Sequence, residues 1–343
     1  MSAALLLLTP SRTCQRLAHE LRYYNLEAPQ LDERLRPAEP AVPDYRLFLV
    51  GGEGPPDGPD HARCLQLYDH KVGGWGRLRD MGARRQQVCG AAAVATRMYA
   101  FGGEDDEALE PGCTSKYDMA TGIMEEVAKL PRTLQSCTGV ACDGLVYCLG
   151  GWDITGGGGV ADVYAYIPDL DCWLSGPALP SAARSMAAAE HLGCIYACGG
   201  REFLDPVAAL LMLDPRTRAW ASLAAMPTGA ADAGAAVVAG RMYVPGGTRE
   251  DHPEHVALPS LQCYDMVAGR WDTGCAPMAE ARWGLGVAAM HGEVWAVGGC
   301  PSGFGVETFT AVEVYSPWLN TWRAGVPLPH AWSWGQCVGV QCS

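Results

Sequence analysis

The chain has 343 residues with a formal net charge of -13 at pH 7, and it contains 42 glycines and 24 prolines. With 49% hydrophobic and only 18% charged residues, this composition is typical of a folded, turn-rich protein and argues against a disordered one. The acidic balance argues against nucleic acid as a partner, because phosphate binding requires a basic face.

The cysteines and apolar runs bear on cellular location. The chain has 15 cysteines, an odd number, and no CxxC pair, which favours a reduced intracellular protein without a structural zinc site. The apolar run Ala3–Leu8 has no basic residues before it and is shorter than the core of a signal peptide. No stretch reaches the ~18 apolar residues of a membrane span. We therefore expect a soluble, cytoplasmic protein that does not associate with membranes.

The first 44 residues differ in kind from the rest. Thr9 and Pro10 are suited to the N-cap and first position of a helix, and apolar residues recur at helical spacing from Cys14 to Tyr24. A stretch rich in proline and charge follows. We predict a short amphipathic helix and a linker over residues 1–44, and a separate domain over residues 45–343.

Six Gly-Gly pairs divide that domain into units. The pairs recur at intervals of 47 to 52 residues, and each follows an apolar run such as LFLVGG or VYCLGG, which predicts a buried strand ending in a tight turn. The pairs begin at Gly51, Gly102, Gly150, Gly199, Gly246 and Gly298.

A second pattern recurs inside each unit. A tyrosine or leucine is followed seven residues later by tryptophan, with Met124 as the one substitute. Two strands joined by a short polar turn, as in YDMVAGRW, predict a hairpin with large apolar residues beside the turn. The pattern begins at Tyr68, Tyr117, Tyr166, Leu213, Tyr264 and Tyr315.

Runs rich in Gly, Ala and Val, such as RSMAAAE and ADAGAAVVAG, follow the hairpins and are suited to strands that converge on a crowded axis. Together these features give a four-stranded repeat of about 49 residues, which matches a propeller blade. The Gly-Gly pair with Tyr and Trp at this period resembles the kelch repeat. The resemblance covers residues 45–343 and implies an all-β fold, a six-bladed kelch β-propeller.

The chain enters the first blade on its Gly-Gly strand, so this blade lacks an innermost strand of its own. The tail HAWSWGQCVGVQCS has the pattern of such a strand. We predict that it pairs into the first blade and closes the ring, leaving no open edge between the first and last blades.

The predicted N-terminal helix resembles the last helix of the BACK domain, which precedes the propeller in kelch-like proteins. The alternative is an amphipathic helix that caps the propeller. Since neither a BTB domain nor the rest of BACK is found in the sequence, we expect the chain to bind a partner protein but to reach a cullin only through a BTB-containing partner or a longer isoform.

Motifs for catalysis or cofactor binding are not found. GxSxG, HExxH and GxxxxGK[ST] do not occur, and the glycines of TGGGGVADVY lack the lysine of a phosphate loop. His252 and His255, among Glu250, Asp251 and Glu254, match no ligand template, so we expect no metal. We also expect no cofactor and no enzyme activity.

Most cysteines, such as Cys89 and Cys113, fall in or beside apolar strands. Free cysteine in such surroundings is usually buried and inert, so we expect core packing and not redox sensing.

In kelch-like substrate adaptors, the ligand-binding face is formed by the residues after each Gly-Gly pair, the loops that follow, and the starts of the innermost strands. Two sets of residues match these positions. The first is Glu53, Glu104, Trp152, Arg201, Thr248 and Cys300, and the second is Arg85, Gln135, Arg184, Asp232, Arg282, Trp283, Ser333 and Trp334.

From these sets and the following loops we predict ten partner-binding residues: Glu53, Arg85, Glu104, Trp152, Arg184, Arg201, Arg249, Arg282, Trp283 and Trp334. The alternative for Arg85, Arg184 and Arg282 is a structural role, hydrogen bonding to loop carbonyls. For the tryptophans of these sets a contact role is favoured over a structural one, because large aromatic side chains at the mouth of a channel lined by Gly and Ala are suited to anchor a partner.

Charge is expected to be unevenly shared on this face. The first three blades contribute Glu53, the run Glu104–Glu107 and Asp153, whereas the last three contribute Arg184, Arg201, Arg249 and Arg282. We interpret the face as bipolar and selective for a segment with both signs of charge. The alternative for the run Glu104–Glu107 is a solvated loop.

The resemblance implies a protein-interaction module, the substrate-recognition part of a kelch-like adaptor for a cullin-RING ubiquitin ligase. Two alternatives stay open: an actin-associated cytoskeletal scaffold and a propeller enzyme. An enzyme would need catalytic His and Tyr residues near the axis, and the sequence offers no such set.

Overall fold

The computed structural model describes residues 44–54, 64–80, 89–103, 112–203, 205–251, 254–301 and 308–342. Tyr45–Cys342 form one compact unit. The described residues contain no helix, and their strands include six four-stranded antiparallel sheets. The predicted N-terminal helix and most of the linker lie outside the described residues.

Each sheet is one blade, with its strands ordered from the axis outward. From innermost to outermost, blade 1 has β31 (Gln336–Cys342), β1 (Asp44–Val50), β2 (Cys64–Asp69) and β3 (Gly74–Asp80). Blade 2 has β4 (Gly90–Val94), β5 (Arg97–Phe101), β6 (Thr114–Asp118) and β7 (Ile123–Val127). Blade 3 has β9 (Thr138–Cys142), β10 (Leu145–Leu149), β13 (Val163–Ile167) and β14 (Cys172–Ser175).

The other three blades follow the same order. Blade 4 has β15 (Ala187–His191), β16 (Cys194–Cys198), β19 (Leu210–Asp214) and β20 (Ala219–Ser222). Blade 5 has β21 (Ala236–Val238), β22 (Arg241–Pro245), β25 (Leu261–Asp265) and β26 (Arg270–Asp272). Blade 6 has β27 (Gly286–Met290), β28 (Glu293–Val297), β29 (Val312–Ser316) and β30 (Thr321–Ala324).

Seven short strands lie in the loops between blade strands. They are β8 (Leu134–Gln135), β11 (Trp152–Asp153), β12 (Gly158–Gly159), β17 (Arg201–Glu202), β18 (Asp205–Pro206), β23 (Thr248–Asp251) and β24 (Glu254–Ala257). The innermost strands of successive blades contact one another around the axis, and β31 contacts both β27 and β4. The predicted six-bladed propeller is confirmed.

The C-terminal strand completes blade 1. β31 is the innermost strand of that sheet and pairs beside β1, so the predicted closure is confirmed. The amide of Glu53 donates to the carbonyl of Ser333 over 2.7 Å, and the reverse bond spans 3.0 Å. The first and last described segments of the propeller are therefore joined by main-chain hydrogen bonds.

In five blades the recurring tryptophan ties the outermost strand to the preceding blade. In four blades its ring lies 5.2 Å from that of the recurring tyrosine, as for Tyr264 and Trp271. Its indole N–H donates to a main-chain carbonyl of the blade before it, as from Trp271 to Ala224 over 2.7 Å. The same bond joins Trp75 to Val326, across the closure between blades 6 and 1, over 2.9 Å. The spacing of seven residues is thus a packing requirement.

The Gly-Gly pairs allow the blades to approach one another closely. The amide of the second glycine donates to a carbonyl at the entry to the next blade, as from Gly200 to Ala230 over 2.9 Å. Gly199 has a φ of +62°, and a Cβ there would lie 2.2 Å from the carbonyl oxygen of Ala230. Only glycine satisfies both the conformation and the space.

Candidate protein-binding face

The two predicted sets of residues lie side by side at one end of the propeller. The loop after the second strand and the segment entering the innermost strand pair within each blade where both are described. The pairs are Glu53 with Ser333, Trp152 with Gln135, Arg184 with Arg201, Ala231 with Thr248, and Trp283 with Cys300. We call this end, formed by those loops and entry segments, the loop face.

A ring of left-handed residues surrounds the axis at the loop face. One residue in each described entry segment has a φ between +53° and +65°, and in blades 4, 5, 6 and 1 its amide donates to the carbonyl of the equivalent residue in the preceding blade. The members are Ser136, Ser185, Asp232, Gly284 and Trp334. This ring was not identified from the sequence, and its sequence signal is the small or polar residue shared by four of the five positions.

Trp334 is the exception in this ring. Its φ is +65°, a conformation that is costly for a bulky side chain and that Gly284 adopts without strain. The half-buried indole meets the ring of Trp283 edge to face, with centroids 4.5 Å apart. Backbone strain of this kind costs on the order of 1–3 kcal/mol and concentrates at functional positions. The strain therefore marks Trp334 as the foremost candidate for a contact residue.

Trp283 lies beneath Trp334. It is only 2% exposed, packs with Ala257 and Cys300, and donates its indole N–H to the carbonyl of Pro301 over 2.8 Å. As placed, Trp283 holds Trp334 in position and offers almost no surface to a partner. The prediction of a direct contact by Trp283 is corrected accordingly.

Arg282 is also corrected to a structural role. Its side chain is fully buried, and its guanidinium contacts Glu313 Oε1 at 2.6 Å and the carbonyls of Gly298 and Ala311 at 3.1 Å each. Burial lowers the pKa of Arg282, and the charge of Glu313 opposes that shift. Arg282 thus fixes blade 6 internally and cannot reach a partner at the loop face.

Arg201 is 6% exposed and bonds to the carboxylate of Asp232, with Nη2 and Nε at 3.1 and 3.3 Å from Oδ2. This ion pair joins the loop of blade 4 to the ring position of blade 5. Because Arg201 and Arg282 are both buried and paired, the predicted basic half of the face is reduced to Arg184 and Arg249. Arg249 is exposed on β23.

An aromatic and basic group lies across blades 3 and 4. The guanidinium carbon of Arg184 lies 4.8 Å from the ring centroid of Trp152, a cation–π arrangement, and its Nη2 donates to the carbonyl of Phe203 over 3.2 Å. Phe203 has a φ of +58° and is 87% exposed. Phe203 was missed from the sequence, although an apolar pair in the loop REFLDP was a visible signal.

The acidic half is described only in part. Glu53 is half-buried in its pairing with Ser333. Asp153 is buried and accepts hydrogen bonds from the Thr155 amide, the Thr155 hydroxyl and the Gly156 amide. These bonds lower the pKa of Asp153, and the bond from Gly156 has the largest effect. It also pairs with Arg132 at 3.3 Å. Arg85, Glu104 and the rest of the run Glu104–Glu107 lie outside the described residues.

Metal ligands do not cluster in the described part of the chain. No group of three or more His, Cys, Asp or Glu side chains is placed there to hold a metal ion. His252 and the side chains of Glu250, Asp251, Glu254 and His255 lie outside this description. No helix long and apolar enough to cross a membrane occurs within the same part of the chain.

Comparison with known proteins agrees with the repeat. The Kelch motif model matches residues 135–180, 182–227 and 229–274, which correspond to blades 3, 4 and 5. Kelch-like protein terF of Aspergillus terreus is 26% identical over 241 residues, covering 66% of this chain and 52% of that protein. Kelch-like protein 15 of Danio rerio is 28% identical over 250 residues, covering 66% and 40%.

Human Kelch-like protein 33 is 31% identical over 192 residues, covering 51% of this chain and 35% of that protein. The chain therefore matches about half or less of the length of these curated relatives. The solved structure of YjhT has a TM-score of 0.69 at 14% identity, covering 83% of this chain and 98% of that one, and supports the fold alone. The described residues thus form a six-bladed propeller similar to the kelch domains of kelch-like proteins, and three of its blades match the Kelch motif.

Proposed function

We propose that the loop face binds a segment of a partner protein and that the chain is the substrate-recognition part of a kelch-like adaptor for a cullin-RING ubiquitin ligase. The observation behind this proposal is the strained Trp334 beside the axis, supported from below by Trp283. A protein accepts such strain where the side chain has a task that a smaller residue cannot perform.

Phe203, Arg184 and Trp152 extend the proposed contact surface toward blades 3 and 4. Aromatic residues and arginine dominate the energetic centres of protein interfaces. Kelch repeats are generally protein-interaction modules, and the acidic net charge of the chain is consistent with a protein partner and not with nucleic acid. Arg249 and Arg184 would favour a segment that carries acidic residues.

The test uses Trp334→Gly as the central variant. Glycine occupies the equivalent ring position in blade 6, so the substitution removes the indole while relieving the strained backbone. We expect the melting temperature to stay within a few degrees of the wild type. Proteins captured from cell lysate by the purified wild type should be lost or strongly reduced with the variant.

The matched control is Trp318→Ala. Trp318 is 88% exposed and lies in the turn between β29 and β30, at the end of the propeller opposite the loop face. The control should retain every captured protein. Equal loss with both variants, or retention by Trp334→Gly, would refute the proposed binding face.

The ligase part of the proposal has its own readout. Cullin should appear among the captured proteins only together with a BTB-containing protein, since the kelch-like adaptors dock on cullin through BTB and BACK. Cullin captured without one would contradict this account. Actin captured in place of a ligase component, with the same dependence on Trp334, would favour the cytoskeletal alternative.

A further inference from the structure

Phe203 protrudes from a small hairpin on the loop face of blade 4. β17 and β18 pair Glu202 with Asp205, so the turn between them has two residues and begins with Phe203. The Phe203 side chain is 87% exposed, and its φ is +58°. Turns of this length need left-handed residues and usually contain Gly, Asn or Asp at such positions. A phenylalanine there strains the backbone and adds little to the core.

Neighbouring loops hold this turn in place. Arg184 donates through Nη2 to the carbonyl of Phe203 over 3.2 Å, while its guanidinium lies over the ring of Trp152. At the base of the hairpin, main-chain hydrogen bonds of 2.8 and 3.2 Å join Arg201 to Arg184, and the buried Arg201 side chain pairs with Asp232. The exposed ring is therefore presented from a fixed backbone, which lowers the entropy cost of using it in an interface.

The two residues beside the turn have the same charge. Glu202 and Asp205 are both exposed and lie directly opposite each other in the strand pairing. Like charges at opposite positions of an antiparallel pair are destabilising. Neither carboxylate forms an ion pair with another residue in the part of the chain that the structure describes. A cation supplied by another molecule would therefore stabilise this hairpin.

The adjacent hairpin has the same pairing of acidic residues. β18 contacts β23, and the pairing of β23 with β24 places Asp251 opposite Glu254. Register thus brings four acidic residues to the part of the loop face that carries Phe203. Charge complementarity favours a partner with basic residues around the surface that covers this phenylalanine.

The shape of the hairpin determines what can cover it. A phenylalanine side chain buries about 150–250 Å² when it is fully enclosed. An extended peptide lying across the loop face would cover only one side of a protruding ring. A pocket in a folded domain would enclose all of it.

We propose that Phe203 inserts into an apolar pocket on a folded domain of the partner protein, and that lysine or arginine side chains at the rim of this pocket bond to Glu202 and Asp205. The proposal rests on the proposed function of the loop face, and it adds the direction of insertion and the chemistry of the partner surface. Binding would cover the exposed ring and neutralise the repulsion between the two carboxylates together.

Melting temperatures of the full chain test the cost of this hairpin without a partner. Phe203→Asn and Asp205→Lys should each raise the melting temperature by about 1–2 °C, because asparagine tolerates a positive φ and lysine attracts Glu202. Asp169→Lys, on an exposed turn at the opposite end of the propeller, changes the net charge equally and should have a smaller effect. Variants that melt at or below the wild-type temperature would contradict the proposal.

Photo-cross-linking identifies the surface that encloses the ring. The full chain with p-benzoylphenylalanine in place of Phe203 is irradiated in cell lysate, and the cross-linked peptides are sequenced by mass spectrometry. We expect peptides from a folded domain, with lysine or arginine beside the cross-linked position. The same group in place of Trp318 should not yield them. No cross-link, or cross-links only to a second copy of this chain or to an unstructured segment, would overturn the proposal.

Capture by variants separates this proposal from the proposed function. Phe203→Asn and Asp205→Lys should each reduce recovery of the cross-linked protein by about tenfold or more. Glutamate in place of the partner's basic residue should restore recovery with Asp205→Lys. Full recovery by both variants, together with loss for Trp334→Gly, would refute the role of Phe203 and retain the proposed binding face. Loss with Phe203→Asn but not with Trp334→Gly would have the opposite meaning.

Discussion

The indole nitrogen of Trp332 lies 2.7 Å from the carbonyl oxygen of Gly51, a residue 281 positions earlier in the chain. Both groups are buried, and Trp332 also packs in the cluster shared by blades 1 and 6. This hydrogen bond fastens the entry to β31 onto the turn that follows β1. It is a side-chain counterpart of the main-chain closure of the ring.

Closure can be tested at this bond. Trp332→Phe should lower the free energy of unfolding by about 2 kcal/mol or more, because it leaves the buried carbonyl of Gly51 without a donor and opens a small cavity. Urea unfolding followed by fluorescence measures the change. Deletion of residues 334–343 should go further and abolish the cooperative transition, and a deleted chain with unchanged melting would disprove closure by β31.

Two glycines allow the steric cost of adding a methyl group between blades to be distinguished from the cost of a left-handed backbone conformation. Gly199 and Gly240 have φ values of +62° and +73°, but only at Gly199 would a Cβ meet another atom, the carbonyl oxygen of Ala230. Gly240→Ala should cost about 1 kcal/mol, the conformational penalty alone. Gly199→Ala should cost at least twice as much in urea unfolding. Equal costs would show that the blades can move apart to accommodate a methyl group.

Arg282 should be important for stability. Arg282→Ala leaves the carboxylate of Glu313 buried without its partner, so we expect a loss of about 3–5 kcal/mol in the free energy of unfolding. Arg249→Ala, at an exposed position, should change it by less than about 0.5 kcal/mol. Reduced partner capture by Arg282→Ala would therefore reflect folding.

The double variant Arg282→Ala/Glu313→Gln is the decisive control for this pair. It reproduces blade 5, where Ala230 and Gln262 occupy the equivalent positions and the Gln262 amide bonds to both the N–H and the carbonyl of Thr228 at 3.0 Å. We expect it to recover at least half of the lost stability. A double variant as unstable as the single one would show that the charge pair is not the cause.

Asp171 should make the stability of the chain sensitive to acid. Its Oδ1 accepts hydrogen bonds from the Ala128 amide and the Tyr166 hydroxyl, both at 2.7 Å, and these bonds lower its pKa. A carboxyl with a lowered pKa in the folded state stabilises the protein above its unfolded pKa of about 3.9, and this stabilisation disappears as the pH falls through the folded pKa.

Asp171→Asn should therefore lose less stability than the wild type between about pH 5 and pH 3. Blade 6 supports the design, because Asn320 makes the same two contacts, with Ala276 and Tyr315, at 2.8 Å each. Melting temperatures measured across this range provide the test. Parallel pH profiles for the two proteins would exclude a contribution from Asp171.

The repeat made the fold predictable. The glycine pairs allow close approach between blades, and the Tyr–Trp spacing packs the outermost strand. These requirements are the same from blade to blade, so the sequence pattern recurs from unit to unit. Closure was predictable for the same reason, since the tail HAWSWGQCVGVQCS matches a strand that blade 1 lacked.

The loop face was less predictable because its positions combine two roles. Arg201 and Arg282 occupy positions that match ligand contacts by register, yet both bond to carboxylates that lie 31 residues away in the sequence. Register gives the place of a residue in the blade but not whether an acid is present beside it. Similarly, the strain at Trp334 depends on a φ angle that no sequence pattern indicated.

The amide of Gln336 extends from the start of β31 to two other blades, accepting from the amides of Ala91 and Gly139 and donating to the carbonyl of Gly139 at 2.6 Å. One side chain thus narrows the axial channel near the loop face. A partner segment that lies over Trp334 would therefore rest on the Gln336 hydrogen bonds and bind at the surface of the loop face. Insertion of the segment into the channel would require these hydrogen bonds between three blades to break.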